Sequence, residues 1–403
     1  MTRPLRVAIF GESYLPYLSG VTVATEALAR GLGAAGHEVL LLVPRPAGGA
    51  APGTAGALGP EPRYAWLPSY QGPRPAPADY RMPWPRWSAA ARLAVGFRPD
   101  IVHAQSPFVS GIMARAVARR AGAPLVFTHH TRFGDYRHYL GPLAAPGGWL
   151  VDRYLRRFWA GCAAIVAPGG RLATEIAAHF DRRRGTVVRA IPTGIELGAL
   201  RALPAADPRG MVGWASDATV VVSVGRLARE KSVEEVVDAF ALAADEDASL
   251  RLLMVGGGPM EAALRLRAQE PALRGRVHLA GRLPRADALA LASGSDLFAL
   301  ASRTETQGLV VAEALGLGLP VIAVDGPGVE DAVRPGIDGR LIRSEPAEGR
   351  VPGLAGAMVE LAGNPVLRAR LAAAAVDGAH RFDAAARMAE VERLYRELID
   401  TRH

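Results

Sequence analysis

The chain has 403 residues, half of them hydrophobic, with a single cysteine and a formal net charge of +8 at pH 7. One buried core seldom grows past about 250 to 300 residues, so this length predicts two domains, and one cysteine excludes a disulfide framework or a cysteine-rich metal site. Basicity ordinarily points to nucleic acid, but here residues 1–200 carry 23 Lys and Arg against 11 Asp and Glu, while residues 201–403 carry 24 against 28.

No recognition element with interleaved arginines and aromatics is visible, so no nucleic-acid partner is expected. An excess confined to the first half suits an anionic partner such as a phospholipid leaflet. An arginine-rich composition alone would produce the same imbalance. The expected setting is a reducing cytoplasm: the opening MTRPLRVAIFGESY runs into a strand rather than a signal segment, and no apolar run approaches the ~20 residues of a spanning helix.

In chain order, Arg6 to Phe10, Glu38 to Val43, Ile101 to His103, Leu125 to Thr128, Ala164 to Ala167 and Val187 to Ile191 read as buried strands alternating with helical stretches. After the first of them, GESYLPYLSGVT leads into a helix near Thr22, with Gly20 at its mouth. A helix N-terminus after a strand presents free amides to an anion, although the spacing is not the dinucleotide G-x-G-x-x-G. The Pro- and Gly-rich stretch from Pro44 to Pro85 predicts a long exposed loop. In WLVDRYLRRFW, residues Leu150, Val151, Tyr154, Leu155 and Phe158 share one helical face, bordered by Arg153, Arg156 and Arg157 and flanked by Trp149 and Trp159. A helix packing that face into its own lobe is favoured over one lying in a membrane interface.

A looser stretch from Glu196 to Asp217 reads as a linker. The rhythm restarts with Val220 to Val224, Leu252 to Val255, Val277 to Leu279, Leu297 to Leu300, Val321 to Val324 and Arg340 to Ile342. The expected fold is α/β: two Rossmann-like, doubly wound parallel-sheet lobes, 1–200 and 201–382, with a cleft between them. The apolar stripe in 383–403 predicts a closing helix that packs back toward the first lobe.

Lys231 is the one lysine among 47 basic residues. Its retention suggests a site wanting a compact ammonium on a flexible stem rather than a planar fork, with chance survival as the alternative. With Arg226 it brackets the end of a strand and the start of a helix in SVGRLAREKSVEEV, where open α/β sheets bind ligands. Two cations there can neutralise a diphosphate and the charge that grows on it as it leaves. They could instead be surface charges paired to Glu230 or Glu234.

The run SRTETQGLVVAEALG follows another strand, passes Gly308 and enters a helix. Backbone amides of Thr306, Gln307, Gly308 and Leu309 can hold phosphate oxygens, leaving Glu305 and Glu313 to accept hydroxyl hydrogen bonds. The acidic Asp245-Glu246-Asp247 reads as a solvated helix end rather than a metal site.

These segments together resemble the retaining glycosyltransferases of family 4, which have the GT-B fold. The resemblance rests on GRLAREK, the Glu305 and Glu313 pair, VGGGP at Val255 to Pro259, the loop with Gly20, DIVHAQSP and FTHHT. It implies that Arg226 and Lys231 hold the donor diphosphate, that Glu305 contacts the donor sugar, and that Glu313 contacts the ribose. It implies further that Gly256, Gly257 and Gly258 let the nucleotide approach the backbone and that Arg282 lies near the base. His130, better placed than His129, matches a histidine near the reacting sugar; either could be a satisfied histidine at a strand end.

The resemblance also implies retention, no metal and no cofactor besides the nucleotide-diphosphate sugar, with UDP-glucose the first candidate. FTHHTRFGDYRHYLG and ETQGL look most like enzymes that glycosylate diacylglycerol or related lipids, which implies a lipid acceptor and a peripheral place on the inner face of the cell membrane. The alternative is a soluble family 4 enzyme acting on a sugar, a polysaccharide or a small metabolite.

Overall fold

Short β-branched and leucine-rich runs, buried on both faces, build one parallel sheet in each of two units of the chain. The computed structural model describes residues 3–46, 62–72, 79–132, 144–180 and 185–401. The first unit comprises Met1–Gly194 and Ala384–His403, and the second comprises Ile195–Asp383.

The first unit holds β1 (Arg6–Phe10), β2 (Glu38–Pro44), β3 (Arg63–Leu67), β4 (Ser69–Gln71), β5 (Arg81–Pro83), β6 (Ile101–Ala104), β7 (Leu125–Thr128), β8 (Ala164–Ala167) and β9 (Val187–Ala190). Its seven-stranded sheet runs β3-β2-β1-β6-β7-β8-β9. The order reverses between β1 and β6, so the loops after these strands open the crevice in which such sheets take ligands.

The stretch from Pro44 to Pro85 is not simply a loop. Within it β3 pairs parallel with β2, and β4 and β5 form an antiparallel pair. Alternation explains β3: Ala65 and Leu67 are buried, while Tyr64 and Trp66 stack at 5.1 Å on the opposite face. The surrounding prolines and glycines masked this five-residue signal; residues 47–61 and 73–78 lie outside the described ones.

The helix Ala144–Trp159 buries Leu155, Phe158 and Trp159 in the first unit's core, with Val151 and Tyr154 packed beside them. Trp149 and Leu150 are exposed, at 64% and 60%. Leu150 therefore does not share the buried face expected for it. The closing helix Ala384–Asp400 places Val391, Leu394, Tyr395 and Leu398 in the core beside Val7, Ile9 and Leu41. Its Tyr395 hydroxyl lies 2.5 Å from His103 Nδ1, and His103 Nε2 lies 2.7 Å from Thr128 Oγ1, so the buried imidazole is satisfied on both sides.

The second unit holds β10 (Thr219–Val224), β11 (Leu250–Val255), β12 (Val277–Gly281), β13 (Leu297–Leu300), β14 (Val321–Val324) and β15 (Gly339–Ile342). Its sheet runs β12-β11-β10-β13-β14-β15, with the reversal between β10 and β13. Among the described residues, no helix is long and apolar enough to cross a membrane.

Candidate active site

The site-bearing loops of the second unit leave β10 and β13 at the reversal of strand order. After β10, Gly225 takes φ 154°, and a short turn Arg229–Lys231 ends at Ser232, which is left-handed at φ 48° and opens the helix Val233–Glu246. That turn aims Lys231 at the neighbouring loop: its Nζ donates to Glu305 Oε1 at 2.7 Å. Thr304 Oγ1 donates to the Glu230 carbonyl at 3.1 Å, holding the two loops together. Arg226 remains 52% exposed, with Nη1 3.3 Å from the buried Glu230 carboxylate. The ion pair with Glu230 weighed for the two cations is therefore made by Arg226, while Lys231 reaches Glu305.

Beyond Glu305, Gly308 is left-handed at φ 67° and stands at the N-cap of the helix Leu309–Gly316, where it has no side chain of its own to cap the end. An end of this kind presents amide hydrogens and a partial positive charge to an anion. The loop is held from behind by Gly328, whose N–H donates to the Glu305 carbonyl at 3.0 Å. A Cβ on Gly328 would meet Gln307 N at 2.5 Å, so only glycine lets that segment lie so close.

Glu313 is 6% exposed on the helix Leu309–Gly316. Burial pushes its carboxyl up from the usual carboxylate range, and the Arg285 guanidinium opposes this. Arg285 Nε donates to Glu313 Oε1 at 3.1 Å, and Nη2 donates to the same oxygen. Sequence reasoning missed Arg285. Its place at the head of the helix Arg285–Ser293 was readable, but nothing local ties it to a carboxylate 28 positions away.

The glycines after β11 have a packing explanation. A Cβ on Gly256 would meet the Gly225 carbonyl oxygen at 1.8 Å, and one on Gly258 would meet the Leu227 carbonyl oxygen at 2.3 Å. These two glycines let the β11 loop lie against the loop carrying Arg226. Gly257 is less crowded: its nearest neighbour would be Arg282 Cβ at 3.3 Å, so Arg282 flanks this loop.

In the first unit, Ser19 caps the helix Gly20–Ala34 through a bond from Thr22 N at 3.2 Å. A Cβ on Gly20 would meet nothing within 4 Å. The fold thus does not require glycine there, and the open space lies at a helix N-terminus. His130 follows β7, half-buried, with Nε2 2.7 Å from Gln105 Oε1. Burial lowers its pKa to about 4, so the ring is neutral at neutral pH. His129 is only 4% exposed and packs against Phe127 and Trp159, with a pKa lowered by burial to about 3. Glu12, also missed, is buried after β1 and accepts from Ser110 N at 2.8 Å, capping the helix Val109–Ala121 from outside it. Of the FTHHTRFGDYRHYLG segment, residues 133–141 lie outside the described ones.

Two parallel-sheet α/β units are the architecture of the GT-B fold, and comparison with known proteins makes the chain a glycosyltransferase of that fold. The crystal structure of HepE from Anabaena in complex with UDP and glucose matches 98% of this chain and 100% of its own, with a TM-score of 0.72 and 17% identity. The family described as glycosyl transferases group 1 matches residues 209–375, and glycosyltransferase family 4 matches residues 18–198. The chain belongs to glycosyltransferase family 4. It is 27% identical over 368 residues to an alpha-monoglucosyldiacylglycerol synthase of Streptococcus pneumoniae, covering 88% of this chain and 78% of that one. It is 31% identical over 354 residues to a GDP-mannose-dependent alpha-mannosyltransferase of Mycobacterium tuberculosis, covering 86% of each.

Proposed function

We propose that this glycosyltransferase moves a hexose from a nucleotide-diphosphate sugar to a lipid acceptor such as diacylglycerol, with retention of anomeric configuration and without a metal ion. UDP-glucose is the first donor to test. The observation that carries the donor side is the Lys231 and Glu305 pair, set between a strand end and a helix N-terminus capped by glycine. Arg226, Lys231 and the amides of Thr306 to Leu309 supply the positive charge that a departing diphosphate needs. Glu305 then serves the sugar hydroxyls and Glu313 the ribose; the family resemblance gives His130 a role in sugar transfer. Because the chain supplies its own cations, chelator should leave the rate unchanged.

A relative named alpha-monoglucosyldiacylglycerol synthase supports the lipid acceptor. So does the surface: among the described residues, the exposed large aromatics Trp84, Trp87, Phe108 and Trp149 all belong to the first unit. Arg120 lies over Trp87 at 4.2 Å and Arg153 over Trp149 at 5.7 Å. Aromatic rings beside arginines suit the boundary of an anionic leaflet. The enzyme would work from the cytoplasm as a peripheral protein on the inner face of the membrane.

A soluble acceptor is the second reading, favoured by the core packing of Leu155 and Phe158, which withdraws the argument for an interfacial apolar stripe. The deciding experiment incubates the full chain with UDP-, GDP- and ADP-sugars and extracted lipids and reads products by mass spectrometry. A glycosylated lipid is the expected product. Transfer only to water-soluble acceptors would replace the lipid reading with the second one.

A further inference from the structure

Arg285 belongs to no part of the donor site described so far except through Glu313. Its side chain is 44% exposed, whereas the Glu313 side chain that it binds is 8% exposed, so the pair runs from the surface inward. Both of its bonds fall on Oε1. Two donors of one rigid fork on one oxygen fix where that carboxylate points, and they leave further lone pairs for other donors.

An ionised, correctly aimed carboxylate accepts ribose hydroxyls at either oxygen and more strongly than a neutral acid, which turns one oxygen into a donor. Burial drives Glu313 toward the protonated form, and Arg285 is the neighbour that opposes this. We propose that Arg285 is a positioning residue of the donor site, holding the Glu313 carboxylate charged and oriented so that it accepts the hydroxyls of the donor's ribose. This proposal rests on the reading of Glu313 as the ribose partner.

The test titrates the full chain calorimetrically with UDP and GDP and with their 2′,3′-dideoxy analogues, for wild type, Arg285→Ala, Arg285→Lys and Glu313→Gln. Circular dichroism checks the fold of each variant. Wild type should prefer the better-bound ribonucleotide over its dideoxy analogue by about 10- to 100-fold, the range for hydrogen bonds to a charged group. Arg285→Ala should erase most of that preference while leaving dideoxy affinity within about twofold, because only the hydroxyl contacts run through Glu313. Arg285→Lys should keep part of the preference, retaining charge without the fork.

A role in folding alone would weaken ribo and dideoxy ligands equally, and that result overturns the proposal. So does an unchanged preference in Arg285→Ala. If Glu313→Gln loses the preference while Arg285→Ala keeps it, the ribose reading survives and the role of Arg285 falls. If wild type shows no preference at all, the ribose reading falls and takes the proposal with it. Should Arg285→Ala fail to fold, Arg285→Lys decides: full wild-type preference, or equal loss for both ligand types, rejects the role.

Discussion

Lys231 Nζ donates to Glu305 Oε1 across 2.7 Å, joining the turn after β10 to the loop after β13 although the two residues are 74 positions apart. Both side chains are partly accessible, at 23% and 16%. The ammonium is therefore prepositioned at an anion-suited helix end rather than locked in the core. Its importance lies in where it places charge.

Replacing Lys231 by Ala should lower kcat by about 100- to 1000-fold, the usual cost of removing one electrostatic stabiliser of a leaving group, with little change in the unfolding midpoint. Lys231→Arg should restore only part of the rate, because a planar fork does not reproduce a compact ammonium. Steady-state kinetics with the donor identified by the product screen measure both. Wild-type turnover in Lys231→Ala would remove this residue from the site.

Two glycines should respond oppositely to substitution. Gly20→Val should leave stability nearly unchanged, since a Cβ there meets nothing, yet cost about tenfold or more in kcat/KM if the donor approaches that helix end. Gly256→Ala puts a Cβ 1.8 Å from the Gly225 carbonyl oxygen at a backbone φ of 149°, so the second unit should be destabilised by about 3 kcal/mol or more. Thermal melts paired with donor kinetics separate the two effects. A stable but inactive Gly256→Ala would shift that glycine from packing to ligand approach.

Acid should loosen the first unit. Burial holds His103 and His129 at pKa values of about 3 and His130 at about 4, against an ordinary 6.5. Between those values the unfolded chain binds protons that the folded unit refuses, so stability rises with pH through this window and falls on acidification. Three such groups give a limiting slope of about 4 kcal/mol per pH unit. Denaturant melts between about pH 7 and pH 4 measure the slope, which His129→Leu should lower by about a third. An unchanged slope in that variant would mean that His129 titrates alike in the folded and unfolded chain.

The outer side of the helix Ala144–Trp159 should contribute to lipid binding if the acceptor lies in a membrane. Arg156 and Arg157 are exposed there, and an arginine near an anionic surface is worth about 1 kcal/mol. Arg156→Ser combined with Arg157→Ser should weaken sedimentation with phosphatidylglycerol vesicles by about 30-fold, and added salt should weaken wild-type binding in the same direction. Unaltered, salt-insensitive sedimentation would place the contact elsewhere on the chain.

The twelve runs read as strands all lie in the two parallel sheets, because buried parallel strands announce themselves as short apolar runs set between helical stretches. Arg226, Lys231 and Glu305 could be placed at strand ends from the residues alone. By contrast, β3 was hidden by its proline-rich flanks, and the orientation of the helix Ala144–Trp159 could be read only in part from its stripe.

Composition and local pattern by themselves determined the α/β class, the two-sheet organisation and the loops that carry charge, since periodicity and turn chemistry act over a few neighbouring residues. Tertiary structure alone decided that Lys231 meets Glu305, that Arg285 holds Glu313, that Tyr395 satisfies His103 across 292 positions, and that Gly256 and Gly258 sit against backbone. Those partners are chosen by strand order and helix packing, which bring together residues whose separation along the chain carries no trace of their contact.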